Sequence, residues 1–157
     1  MQSKTIKTTS SLLTAVAMLI GLTFGSSAVH AKDEINTTFF GNVAIEGYDT
    51  VAYFAEQRAI KGSSNFETTY MNAKWRFSSA ANRDLFVANP EQYAPQYGGY
   101  CAYAVSQNYT AGIDPDQFEI VDGKLYLNYN AKIKARWLGQ RDEFIIAADK
   151  NWPSVID

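Results

Sequence analysis

Phe118-Glu119-Ile120-Val121-Asp122-Gly123-Lys124-Leu125-Tyr126-Leu127 alternates its apolar side chains around an Asp-Gly pair. Asp-Gly accepts the left-handed backbone of a two-residue hairpin turn, so Phe118–Tyr129 is expected to form two antiparallel strands. That register opposes Ile120 with Leu125 and Phe118 with Leu127 on one buried face. Glu119, Val121, Lys124 and Tyr126 fall on the other face. Downstream, Asn130 opens a helix with Ile133 and Trp137 one turn apart. Gly139 ends it, and Asp142 is placed to cap a second helix carrying Phe144, Ile145 and Ala148.

Upstream, Phe66–Phe77 predicts another hairpin, turning at Asn72-Ala73 and pairing Tyr70 with Trp75 and Thr68 with Phe77. Ser79–Asn89 has helical spacing, with Ser78 or Ser79 as cap and Leu85 and Phe86 facing inward. Asn89-Pro90-Glu91-Gln92 has the form of a capping box around a proline at the first helical position. It should start a single turn that carries Tyr93 inward and ends at Pro95. Asp49, ahead of an apolar run, is expected to cap a short helix. Arg83-Asp84 should be a local surface pair, and Asp114-Pro115-Asp116 a turn. Strands and helices lie in separate blocks rather than alternating, so the expected class is α+β, small antiparallel hairpins packed with helices.

The chain has 157 residues, a formal charge of −2 and a pI near 5.4, which excludes the basic face a nucleic-acid binder needs. Its single cysteine excludes an intrachain disulfide and any zinc site built from two or four thiolates. Lys4 and Lys7 precede an apolar run from Leu12 to Phe24, and Val29-His30-Ala31 follows. The run is too short to span a bilayer, which takes roughly 20 residues. It has the build of a secretory signal peptide over residues 1–31, cleaved between Ala31 and Lys32. The expected organisation is therefore a signal peptide, a flexible polar lead-in over 32–38 and one domain over 39–153. The location is periplasmic or secreted, with no permanent membrane anchor.

Removing residues 1–31 takes away two lysines and no acid, moving the formal charge from −2 to −4, and removes the only histidine, His30. What remains has no Ser-His-Asp or Cys-His pair and no histidine ligand for zinc, copper or haem. No haem, flavin or zinc signature is present. Catalysis would have to come from carboxylates, Tyr, Lys or the thiol.

The segment of greatest chemical interest is Tyr97-Gly98-Gly99-Tyr100-Cys101-Ala102-Tyr103-Ala104-Val105. The diglycine permits a sharp bend or a close backbone approach. The residues after it suit helix or strand equally. If a helix starts near Tyr100, its first turn would favour thiolate at Cys101. The alternative is that Cys101 is a small buried hydrophobe. The tyrosines from Tyr93 to Tyr109 suit a core, or a flat apolar pocket.

Ile45-Glu46-Gly47-Tyr48-Asp49-Thr50-Val51-Ala52-Tyr53-Phe54, Trp75-Arg76-Phe77, Arg83-Asp84-Leu85-Phe86, Tyr97–Ala104 and Asn151-Trp152-Pro153 together resemble the exported YHS-domain proteins of bacteria, over about residues 43 to 153. Phe77, Phe86, Pro90 and Tyr93 match packing positions of that group. Some relatives are described as selenoproteins with selenocysteine at the position of Cys101, which implies a chemically active chalcogen there. The wider group resembles treble-clef-like metal modules whose ligand positions fall here on Ala52, Ser78 and Asn82. Those side chains cannot replace thiolates on a soft ion, so no metal ligand set is expected.

These readings imply a non-enzymatic module that binds an unknown small ligand or metal-bearing species at Tyr97, Gly98, Gly99, Tyr100, Cys101 and Tyr103. The alternatives are a thiol-dependent redox protein using Cys101 with an external reductant, and a structural domain of the envelope. N-terminal sequencing of the protein recovered after export in a bacterial host is expected to begin at Lys32; a chain still starting at Met1 contradicts the signal peptide.

Overall fold

The computed structural model describes residues 32–157. The expected signal peptide, including His30 and the Ala31 side of its cleavage point, lies outside the described residues. The elements are α1 (Thr50–Glu56), β1 (Ser63–Tyr70), β2 (Ala73–Phe77), α2 (Ala80–Ala88), α3 (Pro90–Tyr93), α4 (Ala102–Ser106), β3 (Asp114–Val121), β4 (Lys124–Asn128), α5 (Ala131–Gly139) and α6 (Arg141–Asn151). β1 pairs with β2 and β3 with β4, each as a separate antiparallel sheet, so the fold is α+β. No helix among the described residues is long and apolar enough to cross a membrane.

The β3–β4 hairpin turns at Asp122-Gly123, both with positive φ, and opposes Ile120 with Leu125 and Phe118 with Leu127 as the alternation requires. Its other face is also covered in part. Leu125 and Leu127 enter one core with Trp75, Phe77, Phe86 and Tyr53. Tyr126 enters a second core with Tyr97, Tyr100, Val105 and Trp137. β4 is thus buried on both faces, because α4, α5 and α6 cover the side that a lone hairpin would leave to water.

The first hairpin turns one residue earlier than its sequence suggests. Met71 and Asn72 take φ of 47° and 58°, and the register becomes Tyr70 opposite Ala73 and Thr68 opposite Trp75. A two-residue turn needs two left-handed residues, and the shift spares Ala73 that conformation. Ala73 is buried instead, and Tyr70 still reaches Trp75 across the diagonal, with ring centroids 6.2 Å apart.

Ser79 caps α2, its side chain accepting from Asn82 N–H. Phe86 packs on Trp75 and Phe77 at 4.9 and 5.1 Å, whereas Leu85, expected inside, is 48% exposed. Neighbours on a helix diverge by roughly 100°, so α2 cannot bury both against one small cluster. Pro90 opens α3 as expected, but the Asn89 side chain caps nothing. Asn130 caps α5 through Ile133 N–H. Asp142 lies inside the first turn of α6, bonded to Arg141, because Gln140 alone separates α5 from α6. Arg83 and Asp84 pair locally at 2.8 Å.

The lead-in 32–38 is pinned rather than loose. Lys32 N–H donates to Ile156 O, Asn36 N–H to Gly98 O, and Tyr100 Oη–H to Asp33 O, while Ile35 is buried.

Asp49 is fully buried and joins three elements. Its Oδ1 caps α1 by accepting from Val51 and Ala52 N–H at 3.0 and 3.2 Å. Its Oδ2 accepts from Ser78 N–H at 2.8 Å, Ser78 Oγ at 2.6 Å and Asn82 Nδ2 at 2.7 Å. Asp and Asn are equivalent as ordinary N-caps, but here an amide would turn its NH₂ toward the Ser78 N–H, which cannot reorient. Asp49→Asn is expected to cost about 2 kcal/mol and Asp49→Ala about 4 kcal/mol of unfolding free energy. Urea denaturation checks this, and an unchanged midpoint for Asp49→Asn contradicts the assignment.

Candidate functional site

The chain reaches the site through a backbone bend at the 3₁₀ turn Gln96–Gly99. Tyr97, Gly98 and Gly99 have φ of 56°, 59° and 80° in succession. A Cβ on Gly98 would lie 1.8 Å from Glu34 O, and one on Gly99 would lie 2.1 Å from Ile45 Cδ1. The diglycine therefore serves a close approach between this bend and the N-terminal segment. Tyr97 tolerates its left-handed backbone because its side chain is anchored, its hydroxyl donating to Asp149 Oδ1 at 2.8 Å and its ring packing on Tyr126 and Trp152.

After the bend Cys101 precedes α4, so the ambiguous stretch is helical. Cys101 N–H donates to Ala111 O, and a parallel bridge sets Cys101 beside Leu127 of β4. The next residue on that strand, Asn128, is fully buried, and its Oδ1 lies 3.8 Å from Cys101 Sγ and 3.4 Å from the Tyr103 nitrogen. The thiol is 1% exposed. Burial pushes it up from its ordinary pKa, and the backbone N–H groups of Ala104, Tyr129 and Tyr103, which act the other way, do not overcome this. The hydrogen bond that the thiol donates to the Asn128 amide oxygen also favours the protonated form. The depressed pKa expected of a redox thiol at a helix start is not what this environment produces.

Cys101 nevertheless borders a cavity of about 420 Å³. Tyr103 and Ala104 of α4, Tyr109 and Ala111 of the following loop, and Tyr129, Ile133 and Arg136 form its sides, with Lys132 and Asn130 completing it. Tyr109 and Tyr129 are about half exposed, so they stand at the mouth, while the thiol and Ala104 lie deep. Among the described residues, no carboxylate lines this cavity.

Of the six residues singled out from sequence, the structure brings only Cys101 and Tyr103 to this cavity. Tyr97 and Gly98 line a different cleft with Asp149 and Trp152. Tyr100 borders a third with Asp33 and Asn36, and Gly99 is packed against Ile45 and Pro95. The side chains missed are Asn128, Tyr129, Ile133, Lys132 and Arg136. Their only sequence signal was the one-turn spacing of Lys132 and Arg136 on a helix whose Trp137 faces the core.

A YHS domain is found at residues 51–97, shorter than the stretch over which the resemblance runs. It covers α1 to the bend and ends before Cys101. No curated protein and no solved structure matches the chain. The YHS domain is often linked to metal-related function, so the fit of this chain's residues to a metal can be tested. The three positions on which the group's ligands fall do converge, and the group at their centre is the Asp49 carboxylate. Ala52 reaches it by its N–H, and Ser78 and Asn82 by side-chain donors. A methyl, a hydroxyl and an amide turned toward an acceptor do not form a thiolate site, so a soft or borderline ion does not fit there. No three His, Cys, Asp or Glu side chains cluster as a metal site among the described residues.

A buried, protonated thiol has a reactivity signature. Iodoacetamide is expected to modify folded Cys101 about tenfold or more slowly than a free thiol at pH 8, with the rate still climbing above pH 9 and full reaction after unfolding. Mass spectrometry across a pH series measures it; a rate already level below pH 7 contradicts the raised pKa.

Proposed function

We propose that the protein is a non-enzymatic binding module that takes a small, largely apolar ligand into the cavity beside Cys101. The observation that carries this is the cavity itself. Its volume lies in the range of small-ligand sites, roughly 300–1,000 Å³. Its walls are aromatic and aliphatic, with a few polar atoms at fixed places. Binding is favoured over catalysis by the chemistry of the lining. Among the described residues no carboxylate borders it and there is no histidine, and burial raises the thiol. General acid–base work near neutral pH has no candidate there.

The build of residues 1–31 supports action outside the cytoplasm, in the periplasm or the medium. The thiol then serves as a polarizable apolar contact for the ligand. The metal-bearing ligand considered from sequence finds less support, since Cys101 would be the only soft donor in the cavity.

Neutral phenylacetamide is a suitable first probe, one ring wide and with no charge. In ¹H–¹³C spectra, its titration is expected to shift the methyl signals of Ala104, Ala111 and Ile133 together, saturably, while Ala73 and Val51 of the other core stay still. Ala111→Phe, which fills the cavity, is expected to abolish the response without unfolding the protein. Shifts spread evenly over both cores, or retained in Ala111→Phe, contradict the site.

A further inference from the structure

The mouth of the cavity carries a charge pattern that an apolar ligand alone does not explain. Lys132 and Arg136 lie one turn apart on α5, so their side chains rise from the same strip of helix. Like charges at this spacing repel and weaken a helix slightly. α5 also carries Lys134 and contains no acid. Lys134 is accounted for: its Nζ lies 3.4 Å from Glu119 Oε2 and 5.6 Å from the Phe118 ring centre. Lys132 and Arg136 have no carboxylate partner among the described residues. They are the two cations that border the cavity, in a protein with more acids than bases.

Arg136 is exposed but rests against Tyr103. Its guanidinium carbon sits 5.7 Å from the Tyr103 ring centre, and Nη1 donates to Tyr103 Oη at 3.4 Å. Tyr103 is itself fixed, edge-on to Phe144 at 5.2 Å. The rest of the planar guanidinium fork remains available for an acceptor. The positive end of the nine-residue α5 adds to the same potential, since Asn130, its cap, also borders the cavity.

We infer that the ligand is a small aromatic or similarly planar apolar anion, its ring against Tyr103, Tyr129 and Ile133 and its carboxylate or equivalent acid group between Lys132 and Arg136. This rests on the binding site proposed above and adds the ligand's charge. An anion there would relieve the repulsion between the two cations and use guanidinium donors that the protein leaves open. The ring would displace water from apolar walls, while the acid group stays at the half-exposed rim.

The test compares phenylacetate with phenylacetamide, closely similar in shape and different in charge, by calorimetry and methyl shifts on the purified protein. Phenylacetate is expected to bind at least about tenfold more tightly in 20 mM salt, an advantage that shrinks at 0.5 M. Lys132→Gln combined with Arg136→Gln is expected to remove the advantage while leaving the phenylacetamide affinity in place. Arg136→Lys, which keeps the charge, should retain most of it, and circular dichroism confirms folding of each variant. Equal affinities for the two probes, or an advantage untouched by salt and by the combined Lys132→Gln and Arg136→Gln variant, overturn the charge assignment alone. If neither probe moves the methyl signals of Ala104, Ala111 and Ile133, the cavity itself is not the site and the assignment falls with it.

Discussion

From Leu125 to Asn128, β4 is buried on both faces, and the rest of the molecule is arranged around that constraint. An isolated two-stranded hairpin is marginal in water, and neither sheet has a third strand among the described residues. Stability has to come from covering both faces. Leu125 and Leu127 complete the core that the YHS domain builds from α1, the first hairpin and α2. Tyr126 completes the core that α4, α5 and α6 build. One strand is thus the shared wall of two apolar clusters. It also brings a polar side chain, Asn128, into full burial, because the residue two beyond Tyr126 must point the same way. That amide meets the thiol and the first turn of α4, so the wall between the cores also sets the depth of the proposed site.

The YHS portion is held by a different device. Asp49 stands where the resemblance would place a metal's neighbours, and its carboxylate gathers donors from the start of α1, the end of β2 and α2. A carboxylate with five donors and a metal with several ligands solve the same geometric problem, that of fixing a helix start against the end of a hairpin. The carboxylate spends both oxygens on these donors. The cavity proposed as the site lies in the part of the chain that the YHS match does not reach.

How far the sequence disclosed this depended on whether the deciding forces were local. Asp122-Gly123 was readable because the turn chemistry and the alternation on both sides agree on one register. Asn72-Ala73 misled by one residue because Asn suits either central turn position, and only the burial of Ala73 selects between them. Asp49 as a cap was visible from its place before an apolar run. That it would also bind Ser78 and Asn82, about 30 residues on, was not, because those contacts exist only after the hairpin has folded back. The diglycine was correctly suspected of a close approach, but its partner Glu34 lies in a segment that composition alone marks as loose. Lys132 and Arg136 carried no signal beyond their one-turn spacing. Their meaning depends on Tyr103 and Tyr129 arriving from two other elements.

Cys101 was singled out as an unusual reagent, and its position is deep and next to a cavity, where burial holds its thiol above the ordinary pKa. Of the two alternatives the sequence left open, a thiolate at a helix start and a small buried hydrophobe, the burial of Cys101 fits the second, and the residue also borders the cavity. The central claim is that a ligand ring reaches this depth. Intermolecular nuclear Overhauser effects between phenylacetate ring protons and the Cys101 β-protons and Ala104 methyl measure that directly. The account predicts cross-peaks to both, along with the Ile133 methyls. Cross-peaks confined to the half-exposed tyrosines at the mouth, with none to Cys101 or Ala104, would contradict it.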